Sequence, residues 1–450
     1  MGALRVAIVG SGPAGFYAAG SLLGADVPVE VDMFERLPTP WGLVRLGVAP
    51  DHPKIKSVSR AFEKISAQPG FRFFGNVEVG RDVSHEELCE HYDAVVYAVG
   101  AQSDRRMGIP GEDLPGSWPA TEFVAWYNGH PDFQELEFDL SVERAVVIGN
   151  GNVAVDVARM LALTAEELAP TDTTEPAIEA IAGSAIKEIV MIGRRGPAQA
   201  AFTTPELQEL GELAGADVIV NAAELEGAEP KDTNAERNLE VLRGLAVREP
   251  SGKPKRLVLR FFQSPVALHG DGRVESVDLV RNTLDAELRA VPTDEHETLP
   301  AGIVFRSVGY RGVELPGVPF DERNCTVPND RGRVEPGVYV TGWIKRGPSG
   351  VIGTNKKDAT ETVERLLEDL RDGPRKDRPA GEIESLLVER GIRFVLYPGW
   401  TSIDEVERAA GEKLGRPRVK LVTWDDLLEA AERVAQAEPP LPSARTLDER

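Results

Sequence analysis

The chain has 450 residues, 42% hydrophobic and 28% charged, an ordinary balance for a globular protein with room for more than one core. Its 73 acidic and 51 basic side chains leave a net charge of −22, which excludes nucleic acid as a default partner away from a local basic patch. No apolar stretch is long enough to span a bilayer, and the two cysteines, Cys89 and Cys325, form neither a C-x-x-C pair nor a metal-ligand spacing.

The first apolar run, Leu4–Val9, reads as a strand and enters the turn Gly10-Ser11-Gly12-Pro13-Ala14-Gly15, with a helix expected over 16–23. The apolar run 6–9 is too short for a secretory signal, and Val6 breaks the myristoylation pattern begun by Met1-Gly2. With both thiols expected to be reduced, a cytoplasmic location follows. A second strand, Val29–Phe34, ends at Glu35, about twenty residues beyond the last glycine of the turn. Glycines at this spacing permit a tight turn and let a pyrophosphate approach the helix N-terminus. A carboxylate after the next strand suits a ribose with free hydroxyls, which points to FAD.

A helix expected after His52 carries Lys56, Arg60 and Lys64 on one face, a basic stripe that would suit an acidic partner. Residues 94–100 read as a buried strand ending in glycine, and the Pro/Gly-rich segment 109–116 as a connector. A second strand–turn–helix unit begins near Arg144, with the turn Gly149-Asn150-Gly151-Asn152-Val153-Ala154. A helical insertion is expected over 163–184. The strand 189–192 then runs into Gly193-Arg194-Arg195, and two guanidiniums at this position suit a ribose carrying a 2′-phosphate, hence NADP.

Residues 217–287 look β-rich, and 302–309 repeats the pattern of 94–100. Residues 336–343 read as a strand and turn, with a helix over 355–370. In the tail, 394–397 and 419–422 look strand-like, 402–405 reads as a capping box opening a helix, and 424–435 as an amphipathic helix. From Pro439 onward the composition predicts disorder. The expected fold class is α/β: two Rossmann-like, doubly wound nucleotide-binding domains. The FAD domain would be split (1–102 and 327–450) around an inserted NADP domain (103–326).

Five segments together resemble the adrenodoxin-reductase-type ferredoxin–NADP⁺ reductases. They are the first glycine turn continued to Tyr17, residues 41–45 with 47–53, residues 151–159, residues 193–197, and residues 342–355. The resemblance spans the chain up to its tail. It implies FAD contacts from Ala14, Glu35, Leu43 and Val79, and a segment closing over the flavin at Trp343 and at Gly350, Val351 and Ile352. It implies an NADP pyrophosphate turn at Gly149, Asn150, Gly151 and Asn152, a 2′-phosphate clamp at Arg194 and Arg195, and a further NADP contact at Glu206. His52 and Glu209 are candidates for acid–base support near the flavin, since an imidazole titrates near neutral pH.

The implied activity is hydride transfer from NADPH to FAD, followed by single-electron transfer to a ferredoxin, in a monomer without a metal site. The absence of a thiol pair argues against disulfide substrates. Two alternatives stay open: a flavoprotein acting as diaphorase or redox sensor without ferredoxin, and a protein like the small subunit of glutamate synthase. The latter would need an N-terminal cysteine-rich iron–sulfur segment, whereas the first nucleotide strand is expected here from Leu4.

Overall fold

A computed structural model describes residues 2–371, 373, 375, 376 and 381–433. Two six-stranded sheets dominate it. The first runs in the order Arg333–Glu335, Val338–Val340, Ala94–Tyr97, Leu4–Val9, Val29–Phe34, Phe71–Phe74. All its pairings are parallel except at the Arg333–Glu335 edge. Every residue of Leu4–Val9 is buried, as a parallel strand covered on both faces requires. Helices Pro13–Leu23 and Ile352–Leu370 pack together over this sheet, so its parts come from both ends of the chain.

The second sheet is wholly parallel: Ser117–Pro119, Ile303–Arg306, Arg144–Ile148, Glu188–Ile192, Lys255–Arg260, Ala216–Val220. Helix Asn152–Ala162 contributes Ala154, Val157 and Leu161 to the core on one face. On the other face an antiparallel sheet takes the place of helices, formed by Gln263–His269, Ser276–Leu284 and Ala290–Pro300. Its Leu268, Val277 and Leu279 pack on Val146, Ile148 and Val190. A short ribbon, Ser103–Asp104 with Tyr310–Arg311, lies between the two sheets in sequence.

Local structure departs from the sequence expectations in five places. The β-rich region 217–287 contains a 14-residue helix, Thr233–Ala246, whose N-terminus is capped by the Asp232 carboxylate. The helix after His52 is broken into Pro53–Lys56 and Ser59–Ser66, which dissolves the basic stripe. Lys56 turns inward to Asp172, while Arg60 and Lys64 stay exposed. In the tail, Ser402 lies inside a helix that already starts at Tyr397, and its hydroxyl donates to the Ala430 carbonyl at 2.7 Å. Residues 394–397 and 419–422 form no strand: Val395 makes only an isolated bridge to Gly75, and Val419 donates to the Glu407 carbonyl. Helix Trp424–Glu432 is present, whereas Ala435 and the segment from Pro439 lie outside the described residues. Among the described residues no helix is long and apolar enough to cross a membrane.

Candidate dinucleotide sites and their junction

The glycines of the first turn divide by what surrounds them. Gly10 leaves its strand at φ +103°, and a Cβ there would lie 2.6 Å from the Ala98 carbonyl oxygen; at Gly15 it would lie 2.1 Å from that of Gly10. These two serve the packing of helix on sheet. A Cβ on Gly12 would meet nothing within 4 Å, and Gly12 is the N-cap of helix Pro13–Leu23. That is the one glycine of the turn whose missing side chain leaves room for a ligand at a positive helix end.

Glu35 stands at this turn, accepting from the Ser11 N–H at 3.0 Å, the Ser11 hydroxyl at 2.7 Å and the Leu37 N–H at 3.1 Å. Two further segments cross it. The Trp41 N–H donates to the Ser11 carbonyl, and Gly42 lies so near Gly12 that a Cβ would sit 3.0 Å from its Cα. This places Leu43, 38% exposed, beside the turn. Gly342 lies against Ala14 in the same way, and its N–H donates to Asp358 Oδ2 at 2.5 Å. From Gly342 the chain passes through Trp343, whose indole N–H donates to the Ser349 carbonyl at 3.2 Å, to exposed Gly350 and Val351 and then to Ile352, which opens the long helix. Val79 lines a cavity of about 240 Å³ with Val99, Gly100, Leu315 and Pro316.

The second turn repeats the division. A Cβ on Gly149 would strike the Ser307 carbonyl, whereas one on Gly151 would meet nothing within 4 Å. The Asn150 carbonyl accepts from the Ala201 and Phe202 N–H groups, and Asn152 Oδ1 from Thr203 N–H at 2.8 Å. Arg194 is exposed and Arg195 half-buried. Neither guanidinium forms an ion pair among the described residues; Arg195 makes only a 3.4 Å bond to the Gln199 carbonyl. In a chain with a surplus of carboxylates, two neighbouring cations without a counter-ion suit an anionic ligand.

Where the two units meet, His52 of the loop before Pro53 faces helix Thr204–Leu210. Its Nε2 lies 2.6 Å from Glu209 Oε2 and 3.6 Å from Glu206 Oε2. The sequence candidates His52, Glu206 and Glu209 therefore come together. Three residues were not singled out from the sequence: Arg159 is buried and ion-paired with Asp51, with Asp156 at 2.7 Å, and with Glu209 at 3.8 Å. Their signal was available, since Asp156 and Arg159 sit three apart on an otherwise apolar helix. Burial, reinforced by Glu206 and Glu209, pushes the Asp156 carboxyl well above its usual range. Burial raises Glu206 too, opposed by His52.

A second buried group ties the units to the tail. Lys56 pairs with Asp172, and Lys420 approaches the same carboxylate at 3.3 Å while donating to the Asn128 carbonyl at 2.9 Å. Arg45 and Arg418 share the buried Glu407.

Two such sheets, each with a helix N-terminus left open by a glycine, define a pyridine-nucleotide-linked flavoprotein oxidoreductase. The family model described as pyridine nucleotide-disulphide oxidoreductase matches residues 4–191. The chain is 53% identical over 446 residues to the NADPH-ferredoxin reductase FprA of Mycobacterium tuberculosis, covering 94% of this chain and 98% of that protein. It is 44% identical over 448 residues to the human mitochondrial NADPH:adrenodoxin oxidoreductase, covering 94% and 91%. The solved structure of Mycobacterium tuberculosis FprA in complex with NADPH matches with a TM-score of 0.93 at 52% identity, over 96% of this chain and 100% of that one. The chain belongs to the family of FprA-type NADPH-ferredoxin reductases, to which adrenodoxin reductase also belongs. The expected α/β fold class is borne out. Both cysteines, half-buried Cys89 and buried Cys325, are free. The open helix end at Gly12, the Glu35 carboxylate beside it and the crossing segments fit a flavin dinucleotide.

Proposed function

We propose that this chain is an NADPH–ferredoxin reductase. The observation that carries the reading is the unpaired Arg194–Arg195 couple beside the open turn at Gly151, on a chain alike over nearly its whole length to proteins of that name. FAD, when bound, supplies the conversion between a two-electron hydride and single electrons.

The protein's part is to bind and orient. Gly12, Ala14, Glu35, Leu43 and Val79 would hold FAD on the turn that Gly10 and Gly15 shape, and Trp343 with Gly350, Val351 and Ile352 would cover it. Asn150, Gly151 and Asn152 would cradle the pyrophosphate of NADPH on the turn that Gly149 shapes. Arg194 and Arg195 take its 2′-phosphate, and Glu206 meets it nearer the junction. The His52–Glu209 hydrogen bond fixes the imidazole where the units meet and would let it hold a proton there when the cofactors are bound. Two separate six-stranded sheets support the division into a split FAD domain, 1–102 and 327–450, around an NADP domain, 103–326. The free thiols suit a cytoplasmic location. Exposed Arg60 and Lys64 remain available to an acidic ferredoxin, whereas Arg237 and Arg243 stand among acidic residues.

The test is NADPH-driven cytochrome c reduction with and without added ferredoxin. Strong stimulation by ferredoxin is expected; equal rates would leave a diaphorase. If NADPH fails to reduce the bound flavin at all, a binding or sensor role replaces the enzyme.

A further inference from the structure

The backbone that carries Arg194 and Arg195 is held by the antiparallel sheet. The carbonyls of Gly193, Arg194 and Arg195 each accept a hydrogen bond from it or from Phe262 just before it. Gly193 is bonded by the Gln263 N–H and Arg195 by the Phe262 N–H, both at 3.1 Å. The middle one, Arg194, has a side-chain donor: Asn282 Nδ2 at 2.8 Å. Asn282 is 3% exposed, and its amide also donates to the Ser264 hydroxyl at 2.9 Å, so both Nδ2 hydrogens are used. Its Oδ1 is buried and makes no hydrogen bond. Leaving that oxygen unsatisfied is costly, so this residue is present for its donor.

The surrounding geometry is arranged around the same contact. The Asn282 N–H donates to the Phe262 carbonyl at 2.7 Å, and Phe262 is held at φ +56°, a conformation that side-chain-bearing residues seldom adopt. The ladder with Ala290–Pro300 shifts register between Val280 and Asn282, an irregularity of the kind that re-aims a side chain beside a site. The Phe262 ring fills the space next to Gly196, where a Cβ would lie 2.6 Å from it, closing the far side of the arginine segment.

We propose that Asn282 is a positioning residue for dinucleotide selectivity: by fixing the Arg194 carbonyl it presents the two guanidiniums together to a ribose 2′-phosphate. The proposal rests on the assignment of Arg194 and Arg195 as the 2′-phosphate clamp. Two flexible cations bind a phosphate better when their backbone is ordered beforehand, because less freedom is lost on binding. Asn282 touches no ligand itself.

The experiment compares the holoenzyme with Asn282→Leu, Asn282→Ser, Ser264→Ala and an Arg194→Gln/Arg195→Gln double variant, each checked for its flavin spectrum. The readouts are the ratio of kcat/KM for NADPH to that for NADH, and calorimetric binding of 2′,5′-ADP, which carries the phosphate without the nicotinamide. Both Asn282 variants are expected to lower the ratio and to weaken 2′,5′-ADP by about five- to tenfold. Ser264→Ala, which leaves the Arg194 contact in place, is expected to keep the parent ratio. If the Asn282 variants keep the ratio while the double variant loses it, the proposal fails and the clamp stands. If the double variant keeps the ratio, the clamp itself is wrong. If Asn282→Leu and Asn282→Ser weaken NADPH and NADH equally, Asn282 merely supports the fold and the proposal is overturned.

Discussion

The Lys56 ammonium lies 2.7 Å from the Asp172 carboxylate, and this contact joins the loop after His52 to the insertion that follows the second dinucleotide helix. Burial would raise the Asp172 carboxyl, but Lys420 and Lys56 outweigh it and hold it well below the usual range. Asp172→Asn leaves two buried ammonium groups without a counter-charge, and should cost about 3–5 kcal/mol of stability. The depressed native pKa sets the sign of the pH effect. The contribution is complete above the unfolded carboxylate's value of about 4 and disappears as pH falls toward the native one. Denaturant unfolding of the variant and parent at neutral pH would reveal the difference; equal midpoints would show the cluster to be neutral.

Gly10 and Gly12 should fail in different ways. A methyl at Gly10 meets the Ala98 carbonyl and needs a left-handed backbone, so Gly10→Ala should destabilise the protein with or without cofactor. Gly12→Val should leave the apoprotein's unfolding midpoint near that of the parent but lower its flavin content. The ratio of flavin to protein absorbance, set beside thermal unfolding of both apoproteins, separates the two. Loss of flavin in neither variant would mean that the dinucleotide does not approach this turn.

His52 and Glu209 come from different units, so their hydrogen bond also reports on how the units sit together. His52→Ala should slow reduction of the flavin by NADPH by about ten- to a hundredfold, the range associated with small misplacements at a reacting centre. Stopped-flow absorbance of the flavin measures this step directly. An unchanged rate would assign His52 to packing alone.

His130 gives a pH signature of stability. Its Nδ1 accepts from the Asp132 N–H, and Asp132 in turn holds Arg36 and the Trp424 indole. Burial lowers the His130 pKa to about 4, with Asp132 opposing and Arg36 assisting. An unfolded chain therefore takes up this proton first, and stability should decline as pH falls from about 6.5 toward about 4. His130→Asn should flatten that part of the thermal-unfolding profile. If parent and variant decline in parallel, other groups are responsible.

The parts of the fold and site that could be read from the sequence are those governed by local chemistry. Each glycine turn, its preceding strand and the charge after the next strand are short-range patterns, and the structure places them as read. Helix Thr233–Ala246 was obscured because it lies between strands whose apolar alternation dominates the region. The basic stripe was misjudged because Lys56 finds Asp172 and Asn128, which are distant in sequence, and no helical periodicity encodes that. Arg159 and Asp51 meet for the same reason, through the docking of two units. Asn282 gave no signal at all: an asparagine in a strand acquires meaning only when a register shift turns it toward Arg194.

The interleaved strand order constrains the sequence of events during synthesis. Val338–Val340 pairs with Ala94–Tyr97, so the first sheet cannot close until the ribosome has passed the whole second sheet. Domains tend to form as they emerge, yet here the earliest strands must wait with one edge unpaired while the later unit matures. Lys420 arrives last and locks the junction through Asp172 and Asn128. A truncation before the tail would therefore spare the NADP-type unit, and a nascent chain stalled between residues 306 and 338 would carry a finished second sheet beside an unfinished first.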